Sequence, residues 1–436
     1  MKKALILLLC LSVLLLAACG QEGGAAKSGT GSVSADEGAS VVLSGDGVQI
    51  RGGGVKAEGG TVTVCAVGEY RISGTLDAGQ IVVDTGEDAM EVTLILEGVS
   101  VTNPEGPALW IKQAKKVHLQ LAEGSQNLLV SGTEADLASY DDTRSGAALF
   151  AEDDLTIEGG GSLAVRGYLN NGVTCKDDLK IKGGSIDVLG ANNGVRASES
   201  VTVSGGALRI VSGNDGLKTS SAQKEGKGFI EVTGGSISVS SGGDAVDSVT
   251  ELRISGGEVK TETRQDLVGT HSRKGLKAGT LVEISGGTLT VSADEDGVHC
   301  DGSVRMSGGE MSVVASTGIQ AGVKDSGEGD IRLSGGSLFI AALKQGLKAE
   351  GGLVVNNELL ALCGSEKQAE PGESAQGWIR ALVSGNAGDE IRIGENGEGV
   401  TAPLKFRLLL LSSAELTQGE KTEISVAGHS YQLTAR

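Results

Sequence analysis

Short runs of alternating apolar and polar residues recur along the middle of the chain, separated by Gly-Gly pairs. Ser185-Ile186-Asp187-Val188 follows one such pair, and Val201-Thr202-Val203 precedes the next. Alternation with a period of two predicts β-strands. The spacing between successive pairs is most often 22 residues, and the pairs begin at residues 160, 183, 205, 234, 256, 286, 308 and 335. This spacing predicts a repeat made of two or three short strands.

Strands this short cannot bury an apolar face alone, but repeats stacked about 4.8 Å apart can form one continuous core. The pattern therefore predicts an all-β chain folded as a parallel β-helix, right-handed by the general chirality of parallel crossovers. Aromatic residues make up 2% of the chain, which fits a narrow interior filled by Val, Ile, Leu and Ala. Helical periodicity of similar strength is absent beyond the N-terminal segment.

The repeat also sets the expected domain boundaries. Residues 46–364 are expected to form the β-helix, with wider coils at its start and a polar loop at 132–146. The period ends after Gly364, although strand patterns continue. Because a solenoid needs a terminal cap, residues 365–436 are predicted to be a small C-terminal β cap.

The N-terminal residues have the pattern of a secretion signal. Lys2 and Lys3 precede an apolar run that is too short to span a bilayer. The run ends in Leu16-Ala17-Ala18-Cys19, which resembles the lipobox of bacterial lipoproteins. By that resemblance residues 1–18 are a signal peptide and Cys19 carries the lipid that anchors the protein to a membrane. Residues 19–45 are then a Gly- and Ser-rich spacer, and the protein is expected on the outer side of the cell envelope. The alternative is an ordinary signal peptide that happens to contain a cysteine.

Composition excludes several classes of function. The 436 residues carry a net charge of -19, which argues against a nucleic-acid partner because such partners need a basic surface. The four His residues lack the spacing of a zinc motif, and the chain contains no phosphate-binding loop for a nucleotide. The expected protein is a monomer that binds neither nucleic acid nor nucleotide.

Acidic residues recur at the turns between strands. Stacked carboxylates repel one another unless a cation lies between them, and Ca²⁺ prefers carboxylate, amide and carbonyl oxygens. The sequence therefore predicts Ca²⁺ at acidic turns, although Asp and Asn also favour turns through their own backbone hydrogen bonds. The candidate metal ligands are Asp215, Asp244 and Asp296 in one repeat position and Asp153, Asp154, Asp177 and Asp178 in another.

A second recurring position lies three residues after these turns and points outward by alternation. It is held by Thr174, Arg196, Lys218, Asp247, Lys277, His299, Gln320 and Lys348. The basic members could contact the carboxylates of an acidic polymer, or they could simply neutralise the neighbouring acids. The candidate carbohydrate-binding residues are Arg196, Lys218, Lys277 and His299, together with Trp110, whose ring could stack on a sugar.

Four cysteines follow the N-terminal segment, namely Cys65, Cys175, Cys300 and Cys363. Cys175 and Cys300 hold the same inward position five coils apart, which at about 4.8 Å per coil exceeds the reach of a disulfide. Cys65 and Cys363 lie near opposite ends of the β-helix. All four are predicted to be free thiols, and Cys175 and Cys300 are predicted to be buried.

Beyond the repeat, particular stretches of the chain resemble the bacterial β-helical carbohydrate-binding domain-containing proteins. That family is similar in architecture to pectate lyases of polysaccharide lyase family nine. The resemblance covers roughly residues 45–436 and implies binding of an acidic polysaccharide, with Ca²⁺ held by acidic turns. It rests on residues 68–84, Leu94-Ile95-Leu96-Glu97-Gly98-Val99, Asp215-Gly216-Leu217-Lys218, Lys274-Gly275-Leu276-Lys277-Ala278 and Asp296-Gly297-Val298-His299.

Three functions are compatible with this sequence. The leading expectation is a cell-surface lipoprotein that binds an acidic, uronate-type polysaccharide without catalysis, with Ca²⁺ as cofactor. The second is a Ca²⁺-dependent polysaccharide lyase, in which a basic residue of the outward position would take a proton from the sugar. The third is a structural or adhesive solenoid with no sugar ligand.

Overall fold

The computed structural model describes residues 38–45, 47–86, 91–138, 146–264, 272–324, 328–372, 374–394 and 397–436. The predicted signal peptide, Cys19 and residues 20–37 of the predicted spacer lie outside these residues. Regular structure is almost entirely β, with one short helix at Glu134–Ala138 inside the predicted polar loop. Among the described residues, no helix has the length and apolar character needed to cross a membrane.

Thirteen strands form the first face of a solenoid, which we call sheet 1. All neighbouring strands of sheet 1 run parallel except the first two, which are antiparallel. The strands are Val55–Glu58, Thr61–Val64, Gln80–Asp84, Leu109–Gln113, Ala147–Ala151, Asn171–Cys175, Val195–Ala197, Leu217–Thr219, Val246–Ser248, Leu276–Ala278, Asp296–Cys300, Thr317–Ala321 and Leu347–Ala349.

Two further ladders of parallel strands form the other faces. Sheet 2 consists of Lys116–Leu121, Asp154–Gly159, Asp178–Ile181, Ser200–Val203, Phe229–Val232, Glu251–Ile254, Leu281–Ile284, Ser303–Met306, Ile331–Leu333 and Leu353–Val355. Sheet 3 consists of Gln126–Ser131, Ser162–Gly167, Ser185–Gly190, Ala207–Ser212, Ser236–Ser241, Glu258–Thr263, Thr288–Ser292, Glu310–Ala315, Ser337–Ala342 and Glu358–Cys363.

The chain visits sheets 1, 2 and 3 in turn, so each coil contributes one strand to every face. Neighbouring coils pair in register: Val195 lies opposite Val173 on one side and Leu217 on the other. A slip of one residue would turn the apolar side chains outward, so the alternation in the sequence maintains this register. The predicted parallel β-helix is thereby confirmed, as a solenoid of about 11 turns with one continuous apolar interior.

The second glycine of each Gly-Gly pair forms the corner between sheets 2 and 3. Gly206 and Gly235 have φ angles of 78° and 82°, which an L-residue with a side chain rarely adopts. A Cβ on Gly235 would also lie 2.8 Å from the carbonyl oxygen of Gly206 on the preceding coil. Stacked corners therefore need glycine for both conformation and space.

The folded part begins earlier than the boundary at residue 46 that the sequence predicted. Ala39–Ser44 is already a strand, parallel to Gly68–Leu76 and antiparallel to Gly47–Gly52. Its alternate residues are buried because Ala39, Val41 and Leu43 fit the same core pattern as the later coils. Glu91–Asn103 is long enough to pair with strands of both sheet 2 and sheet 3. The first coils are therefore wider than the later ones, as the sequence predicted.

An antiparallel layer closes the C-terminal end, as the predicted cap requires. Leu408–Ser412 lies between Glu358–Cys363 and Trp378–Ala381, and a second apolar cluster fills the space behind it. Four more strands form a separate antiparallel sheet in the spatial order Gly399–Thr401, Glu390–Ile393, Lys421–Val426 and His429–Thr434. The last solenoid coil is thus covered rather than left as an open edge.

Candidate functional site

In sheet 1, each coil from Leu109–Gln113 onward has one residue that lies between two inward-pointing neighbours and points away from the core. Strand register aligns these residues from Trp110 to the last coil. We call the row the outer column. It consists of Trp110, Phe150, Thr174, Arg196, Lys218, Asp247, Lys277, His299, Gln320 and Lys348. The order expected for the outward position, from Thr174 to Lys348, is the order in the structure.

Beside the outer column runs a row of turn residues, which we call the turn column. Backbone hydrogen bonds link its coils. The N–H of Gly216 donates to the backbone carbonyl oxygen of Asp244, and the N–H of Ala245 donates to the backbone carbonyl oxygen of Lys274. Side chains continue the stack where Asn171 Oδ1 accepts from the backbone N–H and the side-chain Nδ2 of Asn193. Its members are Asn171, Asn193, Asp215, Asp244, Lys274, Asp296, Thr317 and Gln345.

Three carboxylates of these two columns meet at the centre of the face, and two lysines lie between them. Lys218 Nζ is 2.6 Å from Asp215 Oδ2 and 2.6 Å from Asp247 Oδ2. Lys277 Nζ is 3.0 Å from Asp244 Oδ2 and 3.1 Å from Asp247 Oδ1. We call these five residues the Lys–Asp cluster. Lys218 and Lys277 therefore neutralise neighbouring acids, which is the alternative role that the sequence left open.

Protonation in the cluster follows from how each group is surrounded. Burial alone would raise the pKa of Asp244, but Lys277 and the N–H of Lys274 outweigh it and the pKa is lowered. Burial raises the pKa of Asp215, with Asp247 and Asp244 adding to the shift that Lys218 opposes. The pKa values of Lys218 and Lys277 are both raised, because the carboxylates outweigh burial. The pKa values of Lys218 and Asp215 are both raised, although the two groups form an ion pair. Lys218 faces two carboxylates, whereas Asp215 has one ammonium and two anionic neighbours.

The second set of acidic turns is also neutralised by lysines, here from the insertion at 220–228. Lys227 Nζ lies 2.6 Å from Asp178 Oδ2 and 3.3 Å from Glu199 Oε2, and Lys224 pairs with Glu199. Burial opposes ionisation of Asp178 and Glu199, but these lysines lower the pKa of both. The pKa of Asp177 is raised by burial and by its contact with Glu199.

The remaining predicted acids bond to nearby groups of the chain. Asp153 Oδ2 accepts from the N–H of Ala114, and Asp154 Oδ1 accepts from the N–H of Asp178. Asp296 Oδ2 lies 2.7 Å from Nδ1 of His299. Burial would raise the pKa of Asp296, but His299 lowers it. The Nε2 atom of His299 lies 3.3 Å from Asp301, so both ring nitrogens of this candidate face carboxylates.

In this arrangement, the carboxylates of the Lys–Asp cluster do not fit a Ca²⁺ ion. One oxygen from each of Asp215, Asp244 and Asp247 lies within 4.8 Å of the other two, which is a suitable spread for ligands of one ion. Ca²⁺ needs six to eight free oxygens, however, and the ammonium groups of Lys218 and Lys277 already contact all three carboxylates. Ca²⁺ as a cofactor of this protein remains a prediction.

The outer column has a different character towards the N-terminal end of the solenoid. Trp110 and Phe150 are half-buried neighbours on adjacent coils, and the indole Nε1 of Trp110 is buried without an acceptor among the described residues. Lys176 Nζ lies 5.8 Å from the centre of the Phe150 ring. Within the described part of the chain, the structure shows no carboxylate paired with Lys176 or with half-buried Arg196. Aromatic faces and unpaired cations are thus grouped at one end.

Comparison with known proteins decides the family. Residues 58–318 match the family model described as "Carbohydrate-binding domain-containing protein". The chain belongs to this family. A curated protein of the same name from Acetivibrio thermocellus is 36% identical over 188 residues, which are 43% of this chain and 65% of that protein. The chain therefore spans less than two thirds of the curated relative that it matches.

A solved structure gives a further likeness. It is a gadolinium derivative of the polysaccharide lyase-like protein from C. thermocellum, 34% identical to this chain. The alignment covers 54% of this chain and 93% of that one, with a TM-score of 0.49.

The carbohydrate-binding domain match contains every candidate residue of the outer column from Trp110 to His299, whereas the C-terminal cap lies outside it. Within the match, the structure separates the candidates that were grouped by sequence. Lys218, Lys277 and His299 face carboxylates, while Trp110 and Arg196 lie at the aromatic end. Sequence analysis missed Phe150 and Lys176, although Phe150 holds the same repeat position as Thr174 and could have been found from that spacing.

Proposed function

We propose that this carbohydrate-binding domain protein binds an acidic, uronate-type polysaccharide without catalysis, on the aromatic end of the outer column. The observation that carries the proposal is Arg196. Arg196 is half-buried on a face whose central charges are neutralised by one another, and no carboxylate among the described residues pairs with it. An unpaired guanidinium is suited to a carboxylate, which it can bind through two parallel hydrogen bonds.

Lys176 supports an anionic ligand at the same place. It is exposed on the coil before Arg196 and two residues beyond Thr174, which pairs with Arg196 in the strand register. The ammonium of Lys176 lies over Phe150 and has no acid partner in the described part of the chain. Two cations on successive coils could contact acidic groups along one polymer.

Trp110 and Phe150 supply the apolar part of the surface. Aromatic rings offer a large contact area at low entropic cost, and an indole N–H is a donor that a sugar hydroxyl can satisfy. In Trp110 the Nε1 atom is itself buried, so the contact this residue offers is that of its half-buried ring. Aromatic and cationic groups together favour an acidic sugar over a purely neutral one.

Lys218 and Lys277 are poorly suited to act as the base of a lyase. A lysine that takes a proton must first be neutral, and the pKa values of Lys218 and Lys277 are raised by their carboxylate neighbours. Both side chains are ammonium ions at neutral pH and act as donors to Asp. The two lysines thus support a role in the fold rather than in catalysis.

Calorimetric titration with polygalacturonate tests the proposal, in EDTA and at two salt concentrations, with absorbance followed for an unsaturated product. Arg196→Gln is expected to weaken binding at least about 10-fold. Arg209→Gln is the matched control, because Arg209 lies on sheet 3 and pairs with Asp187, and it should leave affinity unchanged. Binding should also weaken as salt rises.

Other results would assign the protein differently. Equal binding of a neutral glucan that is insensitive to Arg196→Gln would show carbohydrate binding of another class. Absorbance that rises with time would make the protein a lyase. Absence of heat across a panel of acidic and neutral glycans would leave the structural solenoid.

We also propose that the protein is a monomeric lipoprotein at the outer side of the cell envelope, anchored through Cys19. The support is the lipobox-like Leu16-Ala17-Ala18-Cys19 after a short apolar run. Mass spectrometry of the membrane fraction should find Cys19 as an acylated N-terminus, and Cys19→Ser should release the protein from that fraction. Gel filtration of the delipidated chain should give the mass of one copy.

A further inference from the structure

The three carboxylates of the Lys–Asp cluster are deeply buried for charged groups. Asp215, Asp244 and Asp247 are 6%, 2% and 8% exposed, and they come from two successive coils. Alone, they would place three negative charges within a few ångströms in a region of low dielectric. Such a set either binds a cation or raises its pKa values until it is neutral.

Every carboxylate oxygen of the cluster has a donor within the chain. Lys218 contacts Asp215 Oδ2 and Asp247 Oδ2, and Lys277 contacts Asp244 Oδ2 and Asp247 Oδ1. Asp215 Oδ1 accepts from the N–H of Asp244 at 2.9 Å. Asp244 Oδ1 accepts from Ser272 Oγ and the N–H of Lys274, both at 2.8 Å. All six oxygens are therefore engaged.

We infer that Lys218 and Lys277 are built-in counterions that take the place of a divalent cation, so that the cluster joins its coils without metal. Lys218 bridges carboxylates of two coils, Asp215 on its own coil and Asp247 on the next. Lys277 joins its own coil to Asp244 and Asp247 on the preceding one. Together they supply the link between coils that a bound Ca²⁺ would otherwise supply. A metal could enter only by displacing both ammonium groups from their partners. The inference concerns the coils themselves and does not depend on which carbohydrate the protein binds.

Removing the ammonium groups of Lys218 and Lys277 should restore the need for a cation in the cluster. Without the two ammonium groups, the same carboxylates would leave a compact set of oxygens suited to a hard cation. Lys218→Met with Lys277→Met should therefore convert the cluster into a Ca²⁺ site. Methionine retains an unbranched apolar stem and removes the charge.

Thermal unfolding in EDTA and in excess Ca²⁺, together with calorimetric Ca²⁺ titration, tests both statements. The wild-type Tm should be the same in the two conditions. The double variant should unfold at least about 5 °C lower in EDTA and recover most of that loss in Ca²⁺, with measurable Ca²⁺ binding. Lys260→Met with Lys405→Met is the matched control, because both lysines are exposed, and it should show neither effect.

Two results would overturn the inference. One is a Ca²⁺-dependent rise of the wild-type Tm that Asp247→Asn abolishes; a rise that persists in Asp247→Asn would arise elsewhere and leave the cluster metal-free, as inferred. The other is a folded double variant that neither binds Ca²⁺ nor gains stability from it. If the double variant folds in neither condition, Lys277→Met alone replaces it and must bind Ca²⁺ in the same titration.

Discussion

Gln368 satisfies both backbone groups of Leu347 through its side chain. Gln368 Nε2 donates to the carbonyl oxygen of Leu347, and Gln368 Oε1 accepts from the N–H of Leu347, each at 2.9 Å. Leu347–Ala349 is the last strand of sheet 1, and Gln368 is 3% exposed. The amide thus takes the place of the next coil and terminates the ladder.

Gln368→Leu should therefore destabilise the C-terminal end. The substitution leaves a buried N–H and a buried carbonyl without partners, at a cost of about 1–3 kcal/mol for each group. Hydrogen exchange should show faster exchange in the coil around Leu347 and little change near Val195. The control is Gln432→Leu, at an exposed position, which should leave stability unchanged. Equal behaviour of the two variants would contradict the capping role.

Asp244 and Asp215 should differ in how much stability is lost when each is neutralised, although they are stacked neighbours in the turn column. The folded pKa of Asp244 is lowered by Lys277 and backbone N–H groups despite its burial, so its ionised form stabilises the fold. Asp244→Asn should cost on the order of 3 kcal/mol at pH 7. The pKa of Asp215 is raised by burial and anionic neighbours, so Asp215→Asn should cost little or nothing there.

The pH dependence of Asp244 follows from the sign of its shift. Its contribution is complete above the unfolded pKa of about 3.9 and is lost as pH falls through the lower folded pKa. Urea unfolding across this range should show the wild type and Asp244→Asn converging in acid. A gap that stays constant with pH would mean that the loss at neutral pH is one of packing.

The glycine corners can be tested with a matched pair. Gly235 and Gly226 both have positive φ, 82° and 74°, but a Cβ on Gly226 would meet nothing within 4 Å. Gly226→Ala should cost only the conformational strain, about 1–2 kcal/mol. Gly235→Ala adds the contact with Gly206 on the preceding coil and should cost clearly more. Equal midpoints of urea unfolding would show that crowding between stacked coils is unimportant.

The cysteine thiols should differ in accessibility. Cys175, Cys300 and Cys363 are buried and free, while Cys65 is half-buried, in agreement with the predicted absence of disulfides. Burial raises the pKa of Cys175 to about 12 and those of Cys300 and Cys363 to about 11, which suppresses the reactive thiolate. Alkylation of the native protein, mapped by mass spectrometry, should modify Cys65 first and the other three only after unfolding. Early modification of Cys175 would show that the solenoid opens at that coil.

The sequence by itself determined the solenoid and the order of its columns. Because parallel coils stack in register, a repeat position such as that of Arg196 and Lys218 becomes a row in space. The inward position of Cys175 and Cys300 followed in the same way. In such a fold, residues one repeat apart in the sequence are neighbours in space. This holds even for Trp110 and Phe150, which occupy the same repeat position on adjacent coils.

Only the tertiary structure decided which charges pair and how the ends close. Lys227 belongs to an insertion whose length departs from the repeat, and it contacts Asp178, which precedes it by 49 residues. Gln368 follows the last repeat and returns to Leu347. Lys218 could have faced a ligand, but it lies between two aspartates. The repeat does not determine where the side chains of insertions and of the cap lie. Ion pairing depends on distances of a few ångströms, which are known only once the coils are packed together.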